Sequence, residues 1–254
     1  MEKPLLSIIT PVYNCAKYLV YSLNSIFNQS CDDYFELILV DDNSTDGSDI
    51  ILESYNHAKI GTGQIKLIKN KENKGCFKSR AIAIEASKGK YIAMHDADDY
   101  SFAYRFGKQV KFLEENKDIW CVGGHAHKID INNDDYFENN EDNGNMDYPP
   151  EKNHDIIRKT IEGCLNPIID SSTMFRREEY DRLGGYHLYK DIQLVADFEL
   201  WTRAFMNNFK FYNFQEPFIL YRVNPEGNTR SKKEEMIKQH MLIWRKFVRQ
   251  WKLK

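Results

Sequence analysis

The sequence predicts an α/β fold, a central sheet flanked by helices, and three observations carry that expectation. Short runs rich in Ile, Leu and Val alternate with longer stretches of helical spacing over roughly the first hundred residues. Such runs are expected of parallel strands buried on both faces. Each gap between them has room for one crossover helix, the usual link between parallel neighbours.

The four strands expected of this half are Leu5–Val12, Phe35–Asp41, Gln64–Lys69 and Lys90–His95. Between them, Ala16–Asn28 sets Leu19, Leu23, Ile26 and Phe27 on one side of a helix, and Gly47–His57 and Phe77–Ser87 supply the next two. Further on, Ile119–Ile129 reads as a strand and Arg176–Arg182 as a helix. Leu183-Gly184-Gly185-Tyr186 reads as the turn ending that helix, since glycine accepts positive φ. Another helix is expected from Asp197 to about Phe205. A nucleotide-binding half is thus expected over residues 1–99 and a second half over 100–228.

At 254 residues, 42% hydrophobic and 29% charged, the chain can bury a sizeable core and is not disordered throughout. Its net charge of -3 is far from the basic balance of a phosphate-backbone binder, so nucleic acid is not an expected partner. No run reaches the roughly 18 to 20 apolar residues that span a bilayer. Met1–Leu6 lacks the apolar stretch of a signal peptide, and a cytoplasmic protein is expected. The five cysteines are scattered and form no CxxC pair, which argues for reduced packing thiols over a disulfide framework or a thiolate zinc site. Residues 130–155 carry nine acidic residues against one Lys, with Pro149-Pro150, and read as a long loop.

In a parallel α/β sheet, ligands collect at the carboxyl ends of the strands. The first strand ends in Thr10-Pro11-Val12-Tyr13-Asn14, the second in Asp41-Asp42-Asn43-Ser44 and the fourth in Asp96-Ala97-Asp98-Asp99. Tyr13 offers a ring face to a base, and Asp42 an acceptor for an N–H on that base's edge, which suits uracil. Each also has a plainer use, Tyr13 as a rim aromatic and the aspartates as helix caps. Asp96-Ala97-Asp98 is a compact anionic pair that calls for a hard divalent cation, Mn²⁺ or Mg²⁺, bridging a diphosphate.

These segments resemble family 2 glycosyltransferases of the GT-A fold, which implies that the central sheet is mixed. The matching motifs, in order, are SIITPVYN (Ser7–Asn14), LILVDDNSTDGS (Leu37–Ser48), NKGCFKSRAIAIEASKGKYIAMHDADD (Asn73–Asp99), STMFRREEYDRLGGY (Ser172–Tyr186) and ADFELWTR (Ala196–Arg203), covering roughly residues 5–223. The resemblance implies that Thr10, Pro11, Tyr13, Asp42, Arg80, Asp96 and Ala97 bind the donor nucleotide. It further implies that Tyr13 stacks on the base, Asp96 holds the ribose and Asp98 ligates the metal.

Inverting sugar transfer needs a base for the acceptor hydroxyl. Asp197 is the choice, with Glu199 or Asp191 as substitutes, although Asp197 at a helix start also suits a cap. Ala196 stands where the family usually shows Glu. Glu199, Trp201, Arg222 and Asn224 are candidates for the acceptor or the diphosphate, Asn224 replacing the family's usual His. His125 and His127 fall short of a zinc site for want of a third ligand and are expected to face the acceptor cleft.

Residues 229–254 form a basic tail. Ile237, Met241, Trp244, Val248 and Trp251 recur at spacings of four and three on a helix, and 232–254 carries eight Lys or Arg against two Glu. This helix either packs on the catalytic body or a second subunit, or lies on an anionic membrane at its inner face. The function expected is transfer from a nucleotide-diphosphate sugar, UDP-linked, to a glycan or lipid-linked acceptor. A non-catalytic nucleotide-sugar binding module is the alternative. A nucleotidyltransferase would need a Gly-rich phosphate loop that Thr10–Asn14 does not provide.

Overall fold

A computed structural model describes residues 3–30, 35–56, 64–130, 146–147, 154–224 and 231–248. The strands are β1 (Leu6–Val12), β2 (Phe35–Asp41), β3 (Gln64–Lys69), β4 (Tyr91–Met94), β5 (Tyr100–Ser101), β6 (Ile119–Asp130), β7 (Met146–Asp147), β8 (Met174–Arg176) and β9 (Lys210–Val223). The helices are α1 (Ala16–Phe27), α2 (Ser48–Asn56), α3 (Cys76–Ala86), α4 (Arg105–Glu115), α5 (His154–Glu162), α6 (Arg177–Arg182), α7 (Ala196–Met206) and α8 (Lys233–Ile243). Most of the acidic stretch 130–155 lies outside the described residues.

Among the described residues the strands make one mixed sheet in the order β3-β2-β1-β4-β8-β6-β9-β5, with β7 on β6. β1 pairs in parallel with β2 and β4, and β2 in parallel with β3; α1 links β1 to β2, α2 links β2 to β3, and α3 carries the chain from β3 back to β4 beside β1. Direction reverses at β8, which is antiparallel to both β4 and β6. One core lies on the α3 and α7 side, around Trp120, Phe175, Trp201 and Phe211. The other, with Leu19, Leu23, Phe106, Val110 and Leu113, lies under α1 and α4. Burying each such side chain contributes about 1.5–3 kcal/mol.

His95, where β4 runs into the aspartates, is fully buried between Ser22 Oγ (2.8 Å) and Ser101 Oγ (2.9 Å). Burial, helped by the Arg105 charge, pushes its pKa down to about 3, so the folded protein holds it neutral. The unfolded chain takes up that proton near pH 6.5, so stability is whole above that pH and is lost as pH falls toward about 3. Denaturant titrations between pH 7 and 4 are expected to show this loss, approaching ~1.4 kcal/mol per pH unit for one proton. His95→Gln should flatten that part of the curve; an equal slope in both proteins would assign the loss elsewhere.

The C-terminal helical segment packs on the body through only part of the expected stripe, with Trp244 against the core. Gln239 and Ile243 are buried, and Met236 and Phe247 pack with Ile192, Val195 and Phe198. Ile237 and Met241 are 48% and 45% exposed, while Trp251 lies outside the described residues. The reason is polar: Gln239 Oε1 accepts the Leu194 N–H (2.9 Å), and Trp244 Nε1 donates to the Glu162 carbonyl (2.8 Å). These bonds fix the helix's rotation. No helix among the described residues is long and apolar enough to cross a membrane.

Candidate active site

Because β2, β1 and β4 run parallel and adjacent, their carboxyl ends bring the three polar clusters to one edge. Tyr13 emerges there 49% exposed. Its turn is laced to the one after β2: Asn14 N–H donates to Ser44 Oγ (3.1 Å), Thr45 N–H to Asn14 Oδ1 (2.8 Å) and Ala16 N–H to Asp46 Oδ2 (2.9 Å). The ring therefore faces solvent from a fixed backbone. Thr10, Pro11 and Ala97 have buried side chains.

Asp42, just past the end of β2, is tightly bonded within the protein. It is 2% exposed and accepts from Asn70 Nδ2 (2.7 Å), Lys74 N–H (2.9 Å) and Gly75 N–H (2.8 Å). The last two are backbone amides at the start of α3, where Gly75 takes φ 85°, and they need a partner. Asp42 thus ties the end of β2 to the segment that leads into α3 at this edge.

α3 turns Arg80 inward, over the Phe77 ring at 5.1 Å, and its guanidinium forms ion pairs with both Asp96 and Asp170. The sequence reading missed Asp170. Burial pushes its carboxyl up against the opposing charge of Arg80, and the charges of Asp197 and Asp96 add to the rise. Asp197 therefore lies near enough to Asp170 for the two charges to act on each other.

Asp98 is half-buried, and burial followed by the Asp96 charge pushes its pKa up to about 6. Arg222, at the end of β9, donates from Nε to the Asp98 carbonyl (3.3 Å) and from its N–H to Asp99 Oδ1 (3.2 Å). Its guanidinium lies 4.2 Å from the Tyr18 ring centroid. The structure thus brings Arg222 to the aspartate cluster, with Asn224 two residues beyond. No group of three or more His, Cys, Asp or Glu that would hold a metal by itself occurs among the described residues. Asp96 pairs with Arg80 through Oδ1, and its side chain is 31% exposed. The donor set fits a hard cation held by Asp98 together with phosphate oxygens of a ligand.

α7 starts at Ala196 after Val195, without a side-chain cap, so Asp197 is not spent on capping. Its Oδ2 instead accepts from Asn166 Nδ2 (2.8 Å). Glu199 and Trp201 leave the candidate set. Glu199 is fully buried and bonded to Arg203 Nε (3.0 Å) and Nη2 (2.9 Å), one turn along the helix. Trp201 is fully buried, 5.7 Å from the Trp120 ring. His125 is buried on β6 and does not face an open cleft.

Comparison with known proteins decides what this arrangement belongs to. The sequence profile described as Glycosyl transferase family 2 matches residues 7–184. The chain belongs to this family. EpsE of Bacillus subtilis (strain 168), itself named as a glycosyltransferase, is 35% identical over 225 residues, covering 89% of this chain and 74% of that protein. The structure of S. aureus TarS 1–349 in complex with UDP-GlcNAc superposes with a TM-score of 0.69 at 20% identity, over 94% of this chain and 65% of that one. The mannosyltransferase PcManGT from Pyrobaculum calidifontis, in complex with GDP-Man and Mn²⁺, gives 0.67 at 19% identity, over 95% and 64%. This chain thus spans about 65% of the solved chains. The fold is GT-A, as the motifs of this glycosyltransferase implied.

Proposed function

We propose that this glycosyltransferase moves a sugar from a UDP sugar to a hydroxyl of a glycan or lipid-linked acceptor, with inversion and with Asp197 as the general base. The observation that carries this is the placement of Asp197: it stands at the start of a helix it does not cap, its carboxylate is held by Asn166, and its charge acts on Asp170, the buried partner of Arg80. The nucleotide lies along the edge formed by the ends of β2, β1 and β4, with Tyr13 against the base. The acceptor oxygen attacks the anomeric carbon from the face opposite the diphosphate. The bond from that carbon to the diphosphate oxygen breaks, the diphosphate leaves with the electron pair, and the hydroxyl proton passes to Asp197. Asp98 is the residue that would hold Mn²⁺ or Mg²⁺, whose chemistry when bound is to neutralise charge on the leaving diphosphate.

The outward face of α8 suits acceptors presented at an anionic membrane, since Ile237, Met241 and Leu242 are exposed around Lys238 and Arg245. A binding module without turnover has no use for a carboxylate oriented as Asp197 is by Asn166.

A melting panel of nucleotide sugars with and without Mn²⁺ tests the reading. A UDP sugar at ~100 times its Kd is expected to add about 2.7 kcal/mol to stability, and the shift should depend on Mn²⁺. No shift with any UDP sugar would overturn the donor assignment.

A further inference from the structure

We infer that Asn166 is a positioning residue for the base, an inference that rests on the assignment of Asp197 above. Asn166 Nδ2 donates to Asp197 Oδ2 at 2.8 Å, while Asn166 Oδ1 accepts the Ile168 N–H at 3.2 Å. The second bond fixes the first, because a backbone N–H needs an acceptor and so the amide nitrogen must face the carboxylate.

The segment that carries Asn166 is itself held. α5 ends with Gly163 N–H on the Lys159 carbonyl (2.9 Å) and Leu165 N–H on the Thr160 carbonyl (3.0 Å), and Cys164 takes φ 64° to turn the chain. Trp244 Nε1 donates to the Glu162 carbonyl just before this turn (2.8 Å), and Asn213 Nδ2 to the Pro167 carbonyl just after it (3.0 Å). Ile168 is buried in the core around Trp120 and Trp201. Asn166 thus reaches α7 from a support pinned by β9 and by the C-terminal helical segment.

The consequence is geometric. With Oδ2 engaged, the carboxylate plane is set and Oδ1 takes the acceptor's proton. Asn166 touches neither sugar nor nucleotide; it works through Asp197. Losing it frees the carboxylate to rotate, and small misplacements of a catalytic group cost on the order of 10- to 100-fold in rate.

The test measures UDP release, with water as acceptor, from the UDP sugar giving the largest melting shift. Asn166→Ala, Asp197→Asn and the double variant are compared. Asn166→Ala is expected to lower kcat about 10- to 100-fold with the donor KM within about twofold, and to add no further loss on top of Asp197→Asn. Asn166→Asp keeps the size and replaces the donor with a like charge, and is expected to lose kcat at least as strongly. Should Asn166→Ala unfold, this isosteric variant carries the test. An unchanged kcat, or losses that multiply with those of Asp197→Asn, would overturn the role of Asn166 and leave the base assignment standing. Wild-type kcat in Asp197→Asn would remove the base assignment instead.

Discussion

Arg80→Ala is expected to cost about 3–5 kcal/mol of stability, because it leaves Asp170 and Asp96 without the cation they share. Arg80 is buried on α3 and also covers the Phe77 ring, so alanine loses packing as well as charge. Asp170 escapes only by taking up a proton, the direction in which burial already pushes it. In a chain of 254 residues such a loss lowers the thermal midpoint by roughly 10 °C. Pairing Arg80→Ala with Asp170→Asn should recover part of the loss, since one orphaned buried charge is then gone. Calorimetry on wild type, Arg80→Ala and the double variant checks both parts. A midpoint for Arg80→Ala within a degree of wild type would show that the buried pair supports nothing.

The nucleotide-binding half was legible because its strands advertise both ends. Phe35–Asp41 is a mostly apolar run closed by Asp41, Gln64–Lys69 carries Ile65, Leu67 and Ile68 between polar residues, and the structure has these bounds. β8 was not legible: three residues give no periodicity, and Met174–Arg176 is a strand only because β4 and β6 flank it. The same holds at the site. The three strand ends were visible as motifs, but Asp170 lies 90 positions from Arg80 and Asn166 lies 31 from Asp197. Such pairs exist only after folding. Glu199 did carry a signal in the sequence, an Arg four residues on, which marks a helical ion pair and not an open carboxylate. In the tail, apolar spacing picked Ile237 and Met241, whereas Gln239 and its bond to Leu194 selected the neighbouring face.

The second large effect is expected at Asp197. Asp197→Asn preserves shape and the contact with Asn166 but removes the proton acceptor, so kcat should fall by about 10²- to 10⁴-fold. Stability and donor affinity should stay near wild type, since the half-buried side chain neither caps α7 nor lies among the aspartates that end β4. The most direct measurement takes both quantities on one preparation: turnover of a UDP sugar, and its Kd by calorimetry with Mn²⁺ present. The account predicts lost turnover with Kd within about threefold of wild type, a difference of roughly 0.7 kcal/mol. Retained turnover, or a donor that no longer binds, would contradict a base that acts independently of donor binding.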